Sequence, residues 1–497
     1  MKKYDLFING EFNDSKYKRD IINPSDGETI ARACMASAKD TEYAIESARS
    51  AFDKGPWKDI SLADRKNILL KISRGILEKA KELAELESIN SGKPIKETTF
   101  MDIPSSAATF EYFANNLEKY LSSETKDIQS NIAKVKATLI REPRGVVGLI
   151  VPWNYPLLIA SWKMAQALAA GNAVILKPSS LTPLTALALA NIAKESGVPN
   201  GIINVIPGPG EEVGEILCSN ESVDMISFTG SNTVGKKIIE YSTKNVKKLI
   251  MELGGKSASI ILKDADLEAA VNGSLCSIFL NQGQMCTATS RILVDESIYD
   301  AFVSQFVAKA KKIKIGNSLD FQSQIGPLAS RFQRDRVISY IAKAKEEGLK
   351  LLCGGKIPED ERLKKGFFFE PTVFEGAKTD STIFQEEIFG PVVSFSKFSS
   401  TNEAVSLAND SSFALAACIW SKDLSKAQKL AKNIFSGTIW INTYGMFFNE
   451  LPYGGFKQSG FGKELGYQGF LEYTCLKNVI SDQSIDSKPL VNYWYGF

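Results

Sequence analysis

Cys286 lies in Asn281-Gln-Gly-Gln-Met-Cys286-Thr-Ala-Thr-Ser290, a glycine-containing polar run that passes into hydroxyl residues. A cysteine is a nucleophile as its thiolate, and if a helix begins at the residue, the helix N-terminus would lower its pKa. Cys34, Cys218, Cys276, Cys353, Cys418 and Cys475 lack such a context, and a buried cysteine is ordinarily a small hydrophobe. Glu252 sits in Met251-Glu252-Leu253-Gly254-Gly255-Lys256, behind apolar Leu249 and Ile250. Partial burial there would raise its pKa toward that of a general base; the plainer alternative is a solvated surface glutamate. The chain has no histidine. Ser-His-Asp triads, Cys-His pairs and His-ligated zinc are therefore excluded, and acid–base work falls to carboxylates, lysine, tyrosine or cysteine.

These residues need elements to hold them. Between Gly145 and Gly255, short apolar runs (Val146–Val151, Ala173–Lys177, Ile203–Ile206, Met225–Thr229) alternate with helical stretches (Ser161–Ala170, Thr182–Ser196, Glu211–Leu217, Asn232–Ser242). That alternation predicts a doubly wound parallel sheet, an α/β fold. In Met225–Gly235, Gly230 permits a tight turn, Ser231 can cap the next helix and leave free N–H groups facing an anion, and Gly235 allows close helix–sheet packing. Gly208-Pro-Gly210 reads as another tight approach after a strand; both are equally consistent with ordinary βα turns. Asp40 to Ser91 has helical spacing, with a capping-box pattern at Ser61 and a stop at Gly92 and Pro94. Asn131–Arg141 alternates as a half-exposed strand, and a second α/β stretch spans about 257–473.

The 59 basic and 57 acidic residues leave a formal charge of +2, which argues against a nucleic-acid or membrane-surface binder. No apolar run is long enough to span a membrane, and the N-terminus does not read as a signal peptide. Seven dispersed cysteines with no Cys-x-x-Cys pair fit neither a disulfide framework nor a metal site. A reducing cytoplasmic location and no metal are expected. The apolar segment 490–497 is expected to dock on this subunit or another.

Val151-Pro-Trp-Asn-Tyr-Pro156, Lys177-Pro-Ser-Ser180, Phe228-Thr-Gly-Ser231, Glu252-Leu-Gly-Gly255, Gly283-Gln-Met-Cys286, Glu386-Glu-Ile-Phe-Gly-Pro391 and Gly454-Gly-Phe-Lys-Gln-Ser-Gly460 occur in this order. Together they resemble the aldehyde dehydrogenase superfamily, from about Asn9 to Asn478. The resemblance implies a Rossmann-like cofactor domain in two segments (1–122 and 143–253), an oligomerisation ribbon (123–142), an α/β catalytic domain (254–478) and an oligomerisation tail (479–497). The ribbon would pair with a neighbour's catalytic domain in a homodimer or homotetramer.

It further implies that Cys286 attacks an aldehyde, that the Asn154 amide and the Cys286 N–H hold the oxyanion, and that Glu252 activates the water that hydrolyses the thioester. Lys163 and Glu464 would orient or relay protons around that base. NAD or NADP would lie along Trp153, Lys177, Ser180, Gly210, Ser231, Leu253, Glu387 and Phe389. Members preferring NAD usually carry Glu where this chain has Ser180, so NADP should be tolerated. Tyr155, Trp162, Phe279 and Tyr453 match positions of an aromatic cage for a quaternary ammonium in the betaine-aldehyde and aminoaldehyde branch, although Leu280 stands where some members use tryptophan. The alternatives are an aromatic funnel for apolar or aromatic aldehydes, a semialdehyde site, a CoA-acylating relative, or an inactive structural scaffold. No local arginine is placed to pair a substrate carboxylate, and the presence of Cys286, Glu252 and Asn154 together argues against the last two.

Overall fold

A computed structural model describes residues 1–57, 59–129, 134–483 and Tyr495. The helical stretch after Asp40 resolves into Ala38–Lys54, Leu62–Glu78 and Ala80–Ser91. Ser37 and Asp40 cap the first reciprocally, Ser61 accepts from the Asp64 N–H at the second, and left-handed Gly92 closes the third. Apolar Ile68, Leu69, Ile72 and Ile76 turn inward at helical spacing.

Five parallel strands run in the order Ile203–Val205, Ala173–Lys177, Val146–Ile150, Met225–Thr229, Lys248–Glu252. In chain order this is 3-2-1-4-5, the doubly wound arrangement. The first four strands carry only buried or nearly buried residues, as a sheet covered on both faces requires. Gly460–Phe461 adds antiparallel to Lys248–Glu252 at one edge, and Leu6–Ile8 and Glu11–Asn13 close the other. The helix expected from Ser161 begins earlier, at Pro156, because proline's fixed φ suits the first helical turn. The helix expected over Glu211–Leu217 is a wide π turn, Gly210–Gly214, followed by Glu215–Ser219.

A second sheet orders Lys350–Cys353, Thr372–Glu375, Val392–Phe398, Arg291–Asp295, Ala258–Ile261, Ala416–Trp420 and Thr438–Ile441. All neighbours are parallel except the first pair. A third, three-stranded antiparallel sheet joins Glu124–Gln129, Lys134–Pro143 and Thr474–Asp482. The ribbon strand thus has its own chain's Thr474–Asp482 as a partner, and that strand crosses the expected boundary at 478. Residues 131–133 of the expected strand, and 490–497 apart from Tyr495, lie outside the described residues.

Gly460 pairs with Glu252 at φ +112°, and a Cβ there would fall 1.8 Å from the Met251 carbonyl oxygen. Gly460→Ala is expected to cost more than about 2 kcal/mol and to lower the melting temperature by several degrees in a thermal scan. An unchanged melting temperature would contradict this account of the sheet edge.

Candidate active site

The strand order of the parallel sheet reverses between Val146–Ile150 and Met225–Thr229. A crevice opens beyond the carboxyl ends of strands at such a point. The segments leaving these two ends carry Trp153 and Asn154 on one side and Gly230 and Ser231 on the other. Nearby lies a cavity of about 390 Å³ lined by Cys286, Glu252, Trp162, Tyr155, Tyr453 and Lys163 among others.

The loop before Cys286 is held in an uncommon conformation. Asn281, Gln282 and Gly283 have φ of 47°, 57° and 71°; such a conformation costs a non-glycine residue roughly 1–3 kcal/mol. The run's own amides stabilise it. Asn281 Nδ2 donates to the Asn154 carbonyl (3.0 Å), Gln282 Nε2 to the Gly92 carbonyl (3.2 Å), and Gln284 Oε1 accepts from the Ala329 N–H (3.0 Å). At Gly283 a Cβ would come within 2.2 Å of the Gly390 carbonyl oxygen. Asn154 Nδ2 donates to the Gln284 carbonyl at 2.8 Å, which leaves its second amide hydrogen for another acceptor.

No helix begins at Cys286; it occupies a turn between this loop and the strand Arg291–Asp295. The condition for a helix-terminus effect is therefore not met; the left-handed loop delivers the cysteine directly into the cavity. Burial pushes the thiol up to about 12, opposed by the Tyr453 hydroxyl and the cysteine's own backbone N–H.

Glu252 is buried at the end of its strand, and neither carboxyl oxygen has a hydrogen-bond partner among the described residues. Burial, then the charge of Glu464, raises its pKa well above 4.5, against the pull of Lys163 and Lys463. Gly454 makes room for it, since a Cβ there would lie 2.4 Å from Oε1. Glu464 is also buried but amply partnered. It accepts from Lys163 Nζ (2.7 Å), Ser227 Oγ (2.7 Å), Gln166 Nε2 (2.8 Å) and Tyr473 Oη (3.2 Å).

On the other side of the crevice, Lys177 ends its strand, buried and pushed down to about 8 by burial. Ser180 Oγ donates to the Gly208 carbonyl at 2.9 Å. The tight approach is at Gly208, where a Cβ would meet Val213 at 2.5 Å; Gly210, by contrast, faces open space. Ser231 caps the helix Asn232–Tyr241 by accepting from the Val234 N–H, and Gly235 packs on Leu253. Glu387 accepts from the Gly255 N–H at 2.8 Å, and burial raises it to about 7. Trp153 and Phe389 meet edge to face, 5.2 Å apart.

Three rings meet in the cavity: Trp162–Tyr453 and Phe447–Tyr453 at 5.5 Å, and Trp162–Phe447 at 5.8 Å. Tyr155 also lines it, with the Lys93 ammonium 3.4 Å from its ring centroid. Phe279 does not join them. It ends the helix Leu267–Phe279 and packs on Phe306 in the core, while Leu280 faces the cavity. One residue moves a side chain about 100° round a helix, enough to exchange wall for core. Phe447, absent from the expected cage, takes the place on the wall.

Residues 12–479 match the aldehyde dehydrogenase family. The chain belongs to that family. It is 45% identical to the betaine aldehyde dehydrogenase of Bacillus subtilis (strain 168), over 99% of both chains. Identity to the peroxisomal aminoaldehyde dehydrogenase 2 of Malus domestica is 42%, over 97% of this chain and 96% of that one. Among solved structures, betaine aldehyde dehydrogenase from Staphylococcus aureus in complex with NAD+ superposes with a TM-score of 0.95 at 41% identity, covering 99% of this chain and 96% of that one.

Within this family member a second buried cluster supports the cysteine loop, and sequence reading missed it. Lys93 is paired with Asp102, and Glu97 accepts from the Asn281 N–H with both oxygens, at 3.0 and 3.1 Å. Glu87 accepts from the Leu157 N–H and the Thr185 hydroxyl. The π turn Thr98–Asp102 lies between the helices Ile95–Glu97 and Ile103–Leu121. Gly92 and Pro94 read only as a helix stop, so nothing marked residues 93–102 as part of a site.

Burial raises Glu97 from its ordinary 4.5 to about 8 and Glu87 to about 7. A carboxyl raised in this way stabilises the fold fully below 4.5 and loses that contribution as pH rises through its folded value. The melting temperature should fall between about pH 5 and pH 9, and less steeply in Glu97→Gln. Equal slopes in thermal scans of the two proteins would count against the assignment.

Proposed function

We propose that the protein oxidises an aldehyde to a carboxylic acid with NAD or NADP, through a thioester on Cys286. The observation that supports this most directly is one cavity holding the Cys286 thiol and the unpartnered, buried Glu252 carboxyl, with Asn154 fixed beside the cysteine loop. The deprotonated sulfur attacks the carbonyl carbon, forming a C–S bond and an oxyanion. The free amide hydrogen of Asn154 and the Cys286 N–H donate to that oxygen; removing one such donor typically costs about 10²–10³ in rate. Cleavage of the C–H bond leaves a thioester on Cys286. Glu252, with a pKa raised toward the working range, then takes a proton from the attacking water, the C–S bond breaks and the acid departs. Lys163 and Glu464 orient that base or relay its proton.

A nicotinamide dinucleotide, when bound, supplies the acceptor for the electron pair of the C–H bond. The residues present fit such a group: a capped helix N-terminus at Ser231, open space at Gly210, and a buried amine at Lys177. Lys177 would hold the adenosine ribose, Gly210 and Ser231 the adenine and pyrophosphate, Glu387 the nicotinamide ribose, with Trp153, Leu253 and Phe389 near the ring. Ser180 presents no carboxylate to repel a 2′-phosphate, so NADP is accepted.

The substrate class we favour is an aldehyde bearing a quaternary ammonium or amino group. Each ring of the Trp162, Phe447 and Tyr453 group can attract a cation by about 0.5–2 kcal/mol. Among the described residues lining the cavity, Lys163 is the basic one, and it is paired with Glu464. A semialdehyde carboxylate would therefore meet no free cation there. The partner we propose for the antiparallel sheet is a second copy of the chain, facing exposed Leu476, Val479 and Ile480. Among the described residues no helix is long and apolar enough to cross a membrane.

An aldehyde panel (betaine aldehyde, aminoaldehydes, succinic semialdehyde, benzaldehyde) assayed with each dinucleotide tests the reading, with betaine aldehyde or an aminoaldehyde expected to give the highest kcat/KM. A preference for benzaldehyde would replace the cage with an apolar funnel. Cys286→Ala should abolish dehydrogenation and keep dinucleotide binding, while Glu252→Gln should slow turnover and let a thioester accumulate, detectable by intact mass. A Glu252→Gln enzyme at full steady-state rate would remove Glu252 from the base role. Ser180→Glu should shift preference toward NAD, and an unchanged NADP/NAD ratio would refute the role of that position.

A further inference from the structure

The Tyr453 hydroxyl lies 3.3 Å from the Cys286 sulfur. Neither group is placed casually. The Tyr453 ring stands 5.5 Å from both Trp162 and Phe447, and its backbone exchanges N–H···O=C bonds with Glu464 at 2.7 and 2.8 Å. The same bridge therefore fixes the phenol and the carboxylate that holds Lys163. A wall for a cation needs only the ring, and phenylalanine would supply it. The hydroxyl is an extra polar group, and its hydrogen-bond partner among the described residues is the sulfur.

We infer that Tyr453 is a catalytic residue whose phenol O–H donates to the Cys286 thiolate and increases the reactive fraction of that sulfur near neutral pH. The inference rests on the reading of Cys286 as nucleophile. A thiolate is an acceptor only, so the phenol must be the donor once the sulfur ionises. Burial, followed by the neighbouring Cys286 charge, raises Tyr453 well above its ordinary value, so the phenol keeps its proton. Of the other groups facing the sulfur, Glu252 and Glu387 oppose its ionisation and its own backbone N–H assists. Tyr444 faces the phenol with its hydroxyl bonded to Thr287. When the sulfur bonds to carbon it loses its charge, and the hydrogen bond weakens with it.

The test is the pH profile of inactivation of the cofactor-free enzyme by iodoacetamide, with modification of Cys286 verified by peptide mass. Tyr453→Phe keeps the ring and removes the donor. Its inactivation midpoint should move up by about one pH unit and its rate near neutral pH should fall about tenfold, while KM for a quaternary-ammonium aldehyde stays within about twofold of the parent. Tyr453→Leu should reproduce the midpoint shift and also raise KM. A Tyr453→Phe midpoint at or below the parent's overturns the proposal. Alkylation of Cys286 that leaves the parent's dehydrogenation intact overturns the nucleophile reading instead.

Discussion

A thiol and a carboxyl share one cavity in which burial disfavours the charged form of both. Charging either raises the cost of charging the other, since like charges at close range in a medium of low polarity repel strongly. Reactivity therefore depends on the donors and cations around them. The Tyr453 hydroxyl and the Cys286 N–H favour the thiolate, while Lys163 and Lys463 favour the carboxylate. Because Glu464 neutralises Lys163, that lysine's pull on Glu252 is partial, and Glu464 itself pushes the other way. The ionisation of both groups is thus a balance between burial and these neighbours.

That balance needs rigid placement. The cysteine loop is strained at Asn281 and Gln282, and persists because contacts from four separate regions over-determine it: Gly92 and Glu97, Asn154, Ala329 and Gly390. Glu97 has a double role, anchoring the loop through the Asn281 N–H while belonging to a buried group with one lysine and three carboxyls. Burial raises all three carboxyls, so protonation again lowers the cost of keeping them out of water. The Lys93 ammonium beneath Tyr155 links this group to the cavity wall.

Two sheets contribute the site from different directions. The parallel sheet supplies Glu252 at a strand end and Asn154 just past another, while the loop entering the second sheet supplies Cys286. The bridge between Tyr453 and Glu464, two segments far from either in sequence, closes the wall. A family match over residues 12–479 therefore spans every element on which the site depends.

The strand and helix alternation from Val146 to Tyr241, the tight turn at Gly230, the close helix packing at Gly235, and the motifs around Cys286, Glu252 and Asn154 were legible in the sequence, because local periodicity and turn chemistry are properties of consecutive residues. Ala173–Lys177 and Met225–Thr229 have the bounds their apolar runs suggest. Convergence is not such a property. Phe279 and Leu280 are neighbours with opposite fates, decided by where the helix ends; Phe447 reaches the wall and Glu97 reaches Asn281 only through the packing of remote segments. The surroundings of Cys286 likewise depended on tertiary structure: a helix terminus was open to it in the sequence, whereas the folded chain sets the half-buried sulfur in a turn on the cavity wall, where desolvation raises its pKa.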